Sequence, residues 1–202
     1  TEADLAGYRP EWVEPLAQNF RGHTLHEIPP NGQGVAAQMA LGMLEHFDLP
    51  SMPIDSAACQ HLQIEAMKLA FADVYRFVAE PRQQASEARE SQLGVVATDQ
   101  QLGAIGQGQR PASARIDPQR AQHFGPGYGV KGGTIYLTAA DEGGMMVSYI
   151  QSNYMGFGSG VVEPTFGISL QNRGAGFSLD AKHPNVVAPG KKPFHTIIPA
   201  FL

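Results

Sequence analysis

Apolar residues recur at helical spacing in the first half of the chain and at strand spacing in the second. Val35, Met39, Met43 and Phe47 repeat at i+4, which predicts an amphipathic helix over about 34–47. Pro50 and Pro53 end it, because proline cannot continue the backbone ladder. A second helix is predicted over about 56–78, capped by Asp55 or Ser56. Leu62, Ala66, Leu69, Ala70, Phe77 and Val78 form its apolar stripe, and Glu65, Lys68 and Arg76 are expected to face water. Ahead of these, Trp12 to Leu16 and His23 to Ile28 read as short strands, and Pro29-Pro30-Asn31-Gly32-Gln33-Gly34 as a loop. Residues 134–140 and 145–152 flank Asp141-Glu142-Gly143-Gly144 and predict a β-hairpin with a four-residue turn. Residues 166–171 and 194–198 are further strand candidates. Helices early and strands late predict an α+β fold, an antiparallel sheet covered by helices.

Between these regions, residues 82–131 are rich in Gln, Ala, Arg and Gly and interrupted by Pro111, Pro118 and Pro126. That composition predicts a long, mobile surface segment, which would leave the residues after it accessible. At 202 residues and 43% hydrophobic content the chain can bury a core, and 16% charged residues is low for a globular protein. The net charge of −5, with Lys191-Lys192 only a pair, argues against a nucleic-acid surface. No apolar run is long enough to span a bilayer. Thr1-Glu2-Ala3-Asp4 resembles neither a signal peptide nor a translation start, and the end of the chain falls inside an apolar run. Both ends read as cuts in a longer protein.

Composition removes several chemistries. The single cysteine, Cys59, excludes an internal disulfide and falls in a helical pattern, as a buried, inert thiol would. The seven histidines lack zinc-site spacing with cysteine or carboxylate partners, so no metal or cofactor is expected. His23 and His26 are three apart in a strand candidate and fall on opposite faces. Gly156-Phe157-Gly158-Ser159-Gly160 has neither dinucleotide spacing nor a following helix, and reads instead as a loop bounding a pocket. No Gly-x-Ser-x-Gly elbow is present around Ser159.

What remains is Gly132-Gly133-Thr134 at the head of the hairpin. A threonine hydroxyl needs a neighbouring base to act as a nucleophile, and its own α-amino group can serve once the chain is cut before it. Glycine at 133 suits such a cut by leaving the carbonyl open to attack. Gly-Gly-Thr is also a common entry into a strand. Asn153, Asn172 and Arg173 are polar residues at or near strand ends, where sites are often built, and His195 lies in the β region near them.

In order along the chain, Pro29-Pro30-Asn31-Gly32-Gln33-Gly34, Met43-Leu44-Glu45-His46-Phe47-Asp48-Leu49, Glu65 to Asp73, Thr134 to Asp141, Phe157-Gly158-Ser159-Gly160 and Lys191-Lys192-Pro193-Phe194 form a motif series. The series resembles the gamma-glutamyltranspeptidase family of N-terminal-nucleophile (Ntn) hydrolases. The resemblance covers nearly the whole chain outside the middle of 82–125. It implies a segment of an αββα four-layer sandwich, with 1–133 as the end of a large chain and 134–202 as the start of a small one. It implies autoprocessing at Gly133-Thr134, Thr134 as nucleophile, and Asn153, Arg173, His195 and Thr196 in the substrate pocket. The implied partners are a small γ-glutamyl or related amide, an amine acceptor or water, and the remainder of both chains. An acylase of the same fold, or a non-catalytic binding module, are the alternatives. Two departures bear on selectivity: Gly176 stands where the family has an aspartate for the donor's α-amino group, and Arg173 replaces a glutamine. The family's donor-binding arginine and oxyanion glycines would lie outside this segment, which alone should be nearly inactive.

Overall fold

In the computed structural model, residues 2–80 and 134–202 are described. A short helix α1 (Glu2–Gly7) leads into irregular chain over 8–15, where a strand had been expected from Trp12. Trp12 is fully exposed and Pro15 lacks an amide to donate, so pairing starts one residue later. Strands β1 (Leu16–Phe20) and β2 (His23–Glu27) then pair antiparallel, from Leu16↔Glu27 to Phe20↔His23. Their two-residue turn has φ of 54° at Arg21 and 84° at Gly22. Two positive values in sequence give the turn twist that matches a right-twisted hairpin.

Helices α2 (Val35–Leu44) and α3 (Ala57–Phe77) stand where the periodicity predicts them, except that α2 ends at Leu44, three residues short of the expected 47 and ahead of Pro50. Ser56 caps α3 by accepting a hydrogen bond from the Cys59 amide at 3.2 Å, and Cys59 itself is buried. Val35, Ala36, Ala40, Met43 and Leu44 of α2 bury against Ala66, Ala70 and Val74 of α3 and against Val78. The small side chains at i+4 along α3 let the two axes approach. Leu62 and Leu69 pack only at the border of this core. Glu65 corrects the expectation of a water-facing residue: it is buried, and Lys68 reaches it at 2.9 Å to supply the charge that burial demands. Gln38, fully buried on α2, donates to the carbonyls of Leu16 (2.8 Å) and Leu25 (3.2 Å) and so fastens the helix to the β1–β2 hairpin.

The second hairpin forms as expected. β3 (Ile135–Ala140) and β4 (Met146–Gln151) pair without interruption from Ile135↔Gln151 to Ala140↔Met146. The Asp141 carboxylate closes the turn on the Met145 amide at 2.9 Å, and Gly144 takes φ 82°. The strand expected over 166–171 shrinks to β6 (Ile168–Ser169), paired with β5 (Val162–Glu163). The Glu163 carboxylate accepts from the Thr165 and Phe166 amides, both at 2.8 Å, and curls that segment into a turn. The strand expected over 194–198 does not form either. Its backbone bonds are taken by loop 31–33: the His195 amide donates to the Asn31 carbonyl and the His195 carbonyl accepts from the Gln33 amide, each at 2.9 Å. Thus the Pro-Pro loop, which precedes α2, holds the last segment of the chain in place. Residues 82–131 lie outside the described residues.

Candidate active site

The register of the second hairpin places Thr134, the residue before β3, opposite Ser152, the residue after β4. Their side chains share a face, and the Thr134 hydroxyl donates to Ser152 Oγ at 2.9 Å. Ser152 Oγ also accepts from the Tyr154 amide at 2.9 Å. Tyr154 takes φ 76°, a left-handed conformation that costs a non-glycine residue on the order of 1–2 kcal/mol. The bend turns its ring beneath the Arg173 guanidinium, whose carbon lies 4.8 Å from the ring centroid.

Arg173 opens a 3₁₀ turn over Arg173–Gly176 and is only 2% exposed. Its Nη1 donates to Thr196 Oγ1 at 2.6 Å, while Nε is buried without a partner. Burial pulls its pKa below the usual arginine value, and Tyr154 opposes that shift. An exposed arginine before a turn would be the simplest reading of the sequence. Here the guanidinium is instead the best-buried charge among the described residues from Thr134 onward. His195, beside Thr196, is half-buried and its Nδ1 accepts from the Ile197 amide at 3.3 Å. Burial first, and the Arg173 charge second, push its pKa down to about 4, so the imidazole is neutral near pH 7.

Thr134, Arg173, His195 and Thr196 are thereby linked through Ser152 and Tyr154. Asn153 joins by its backbone: its carbonyl accepts from the Asn172 amide at 3.2 Å, and its side chain has no hydrogen-bond partner among the described residues. Gly133 lies outside the described residues. The carbonyl of Gly176 accepts from Asn185 Nδ2 at 2.7 Å. A Cβ at Gly176 would meet the Phe194 carbonyl at 3.5 Å, an ordinary contact, so the backbone has room for a side chain there. Among the described residues no group of three or more His, Cys, Asp or Glu is placed to hold a metal ion. No described helix is long and apolar enough to cross a membrane.

The profile described as gamma-glutamyltranspeptidase matches residues 1–202. The chain belongs to the gamma-glutamyltranspeptidase family. This family member is 34% identical over 199 residues to the glutathione hydrolase-like YwrD proenzyme of Bacillus subtilis (strain 168), covering 98% of this chain and 35% of that protein. It is 36% identical over 200 residues to the oxamate amidohydrolase proenzyme of Klebsiella pneumoniae, covering 99% and 35%. Among solved structures it is similar to the cephalosporin acylase from Bacillus halodurans, at 44% identity and a TM-score of 0.74 over 100% of this chain and 34% of that one. The chain therefore spans about a third of the length of these relatives. The fold is that of an Ntn hydrolase, of which this is an α+β segment.

In this gamma-glutamyltranspeptidase-family chain, residue-by-residue reading picks out Thr134 but not Ser152 or Tyr154. Ser152 had a signal: counting outward from the turn at 141–144 pairs it with Thr134. Tyr154 had none, because nothing local announces a left-handed tyrosine.

Proposed function

We propose that this chain is the central segment of an amide-cleaving Ntn hydrolase that cuts itself at Gly133-Thr134 and then works through an acyl-Thr134 ester. Residues 1–133 would end the large chain and residues 134–202 begin the small one. The observation that carries the reading is the Thr134–Ser152 hydroxyl pair at the head of β3, joined through Tyr154 to a buried cation. In the first step Thr134 Oγ attacks the Gly133 carbonyl and the C–N bond breaks, leaving an ester to Thr134 Oγ and a free amine. Water hydrolyses that ester to the Gly133 carboxyl and the Thr134 hydroxyl. Free α-amino groups titrate near pH 8, so the new amine can take the Oγ proton in the next attack. The substrate amide then yields an acyl ester on Oγ and a leaving amine that carries the proton away. Water or an acceptor amine releases the acyl group. Ser152 accepts from the Thr134 hydroxyl before attack and so fixes Oγ on the hairpin face, a positioning role, and the hydrogen turns to the amine when the attack begins.

The donor itself is read from charge. Arg173 is a buried guanidinium facing a hydroxyl and an aromatic ring, and an anion would offset its desolvation better than either. A donor with a carboxylate near the scissile amide fits. Gly176 offers no charge for a donor ammonium, which favours acylase-type selectivity over strict γ-glutamyl transfer, in keeping with the names of the oxamate amidohydrolase and cephalosporin acylase relatives.

The full-length protein should separate into two chains, the smaller beginning at Thr134. Thr134→Ala should leave one chain and no turnover. A protein that stays intact and active with Thr134→Ala overturns the reading. Gly176→Asp should shift preference toward γ-glutamyl amides by roughly ten- to a hundredfold, the worth of one charge-assisted contact.

A further inference from the structure

Glu27, the last residue of β2, is a buried acidic side chain that the fold alone does not account for. It is 3% exposed, and its Oε2 is buried with no hydrogen-bond partner. Its carboxyl lies against Gly34, at the start of α2, so closely that a Cβ at Gly34 would collide with it. Glycine there keeps space open for the carboxyl. An unpaired buried carboxyl costs stability, and such groups are rare enough in folded proteins to call for a reason.

A cavity of about 280 Å³ adjoins it, lined by Glu27, Asn31, Gly34, Ile150, His195 and Ile197 among others. Two other polar side chains in that wall each have one polar atom engaged. Asn31 Nδ2 donates to the Pro193 carbonyl, and His195 Nδ1 accepts from the Ile197 amide. Apart from Glu27 the walls are mainly apolar, and no lysine or arginine is among the lining residues. Ile150 lies two residues before Ser152 on β4, so the cavity opens on the hairpin face that carries Thr134. His195, beside Thr196, forms its boundary toward Arg173.

We propose that this cavity binds a primary ammonium group on a short apolar body, with the Glu27 carboxylate as its hydrogen-bond acceptor and counter-charge. A buried carboxylate acceptor without a donor, in a mainly apolar space that no lysine or arginine lines, selects an N–H-bearing cation over an anion or a hydrocarbon. The inference goes beyond the Thr134 chemistry and does not depend on it. No acyl transfer is needed for the cavity to fill.

The test is titration of the full-length protein with n-butylammonium, with 1-butanol and butyrate as neutral and anionic controls of similar size, followed by calorimetry or ligand-observed NMR. The ammonium should bind saturably and at least about tenfold more tightly than either control. Glu27→Gln should erase that preference while leaving butanol binding unchanged. Gly34→Ala, which displaces the carboxyl without removing it, should act in the same direction. Ile150→Trp, which fills the cavity from the hairpin side, should block all three ligands and serves as the decisive variant if Glu27→Gln does not fold. Thr134→Ala should bind the ammonium as the parent does, which separates this site from the nucleophile. Equal binding of the three probes, no binding at all, or full binding in Glu27→Gln would overturn the proposal.

Discussion

The two described halves of this molecule are held together by different physics. Among the described residues every buried apolar side chain lies between Val35 and Ala79, in the layer built by α2, α3 and the residues that follow α3. From Thr134 onward the buried side chains are Arg173 and Asn185, both polar. Ile135, Tyr136, Leu137, Met146, Val147 and Tyr149, on both faces of the second hairpin, are all exposed. The helical half has the area-proportional stability of an apolar core. The β half is shaped by hydrogen bonds whose geometry is narrow, and it is there that the candidate site stands. Chemistry is placed where direction matters, and bulk stability where it does not.

Substitutions at matched burial should break this contrast open. Met43, fully buried between α2 and α3, is the largest fully buried apolar side chain among the described residues. Met43→Ala should cost about 2–5 kcal/mol in denaturant unfolding of the full-length protein, with activity per folded molecule unchanged. Asn185 is the polar counterpart. Its Nδ2 donates to the Gly176 carbonyl at 2.7 Å and its Oδ1 accepts from the Phe194 amide at 3.0 Å, so one side chain clamps the Arg173 turn to the segment bearing His195 and Thr196. Asn185→Ala leaves two backbone groups unpaired and should cost about 2–4 kcal/mol. Unlike Met43→Ala, it should also lower kcat in the molecules that remain folded, as measured on purified protein well below its unfolding midpoint.

Arg173 sharpens the contrast further. Its charge is buried with no carboxylate partner among its hydrogen bonds, so Arg173→Met should leave stability unchanged or slightly raised. Turnover of amides bearing a carboxylate should fall roughly ten- to a hundredfold, the size of a lost charge-assisted contact, and neutral amides should suffer less. A loss shared equally by both substrate classes would make Arg173 a fold residue and return it to the company of Asn185.

The same division governs what could be seen in the sequence. Periodicity gave α3 to within a residue at each end and α2 except its last turn, which stops at Leu44 rather than 47, and the Ser56 cap and the turn at 141–144 announced themselves by composition. These are local signals. Glu65 escaped because whether a carboxylate is buried depends on Lys68 one turn away and on the packing of another helix. The run 194–198 looked like a strand because it is apolar, yet a strand needs a partner, and the partner was loop 31–33. Thr134 and Arg173 could be singled out by residue type and resemblance, while Ser152, Tyr154 and Glu27 acquire meaning only from contacts. The polar half was the harder half to read, since a hydrogen-bond network is written in distances rather than in patterns.

The smallest effect expected is one of pH, and it sets two groups lining one cavity against each other. Burial raises the Glu27 pKa from 4.5 to about 7. Between those values the folded protein holds a proton that the unfolded chain has released, so this group's contribution to stability falls as pH rises through the window. His195 runs the other way. Its pKa is lowered from 6.5 to about 4, so between those values the unfolded chain holds a proton that the folded one refuses, and stability rises with pH. Across the shared range the two slopes oppose, each on the order of 1 kcal/mol once the solvent that reaches the cavity is allowed for. Thermal melts of the parent between pH 4.5 and 6.5 should therefore show little slope from this pair. Glu27→Gln should expose the His195 slope, with stability rising with pH, and His195→Gln should expose the Glu27 slope, with stability falling as pH approaches 7. If both variants keep the parent's profile, the cavity is wet enough to leave neither group strained, and the argument that its lone carboxyl awaits a cation loses its energetic basis.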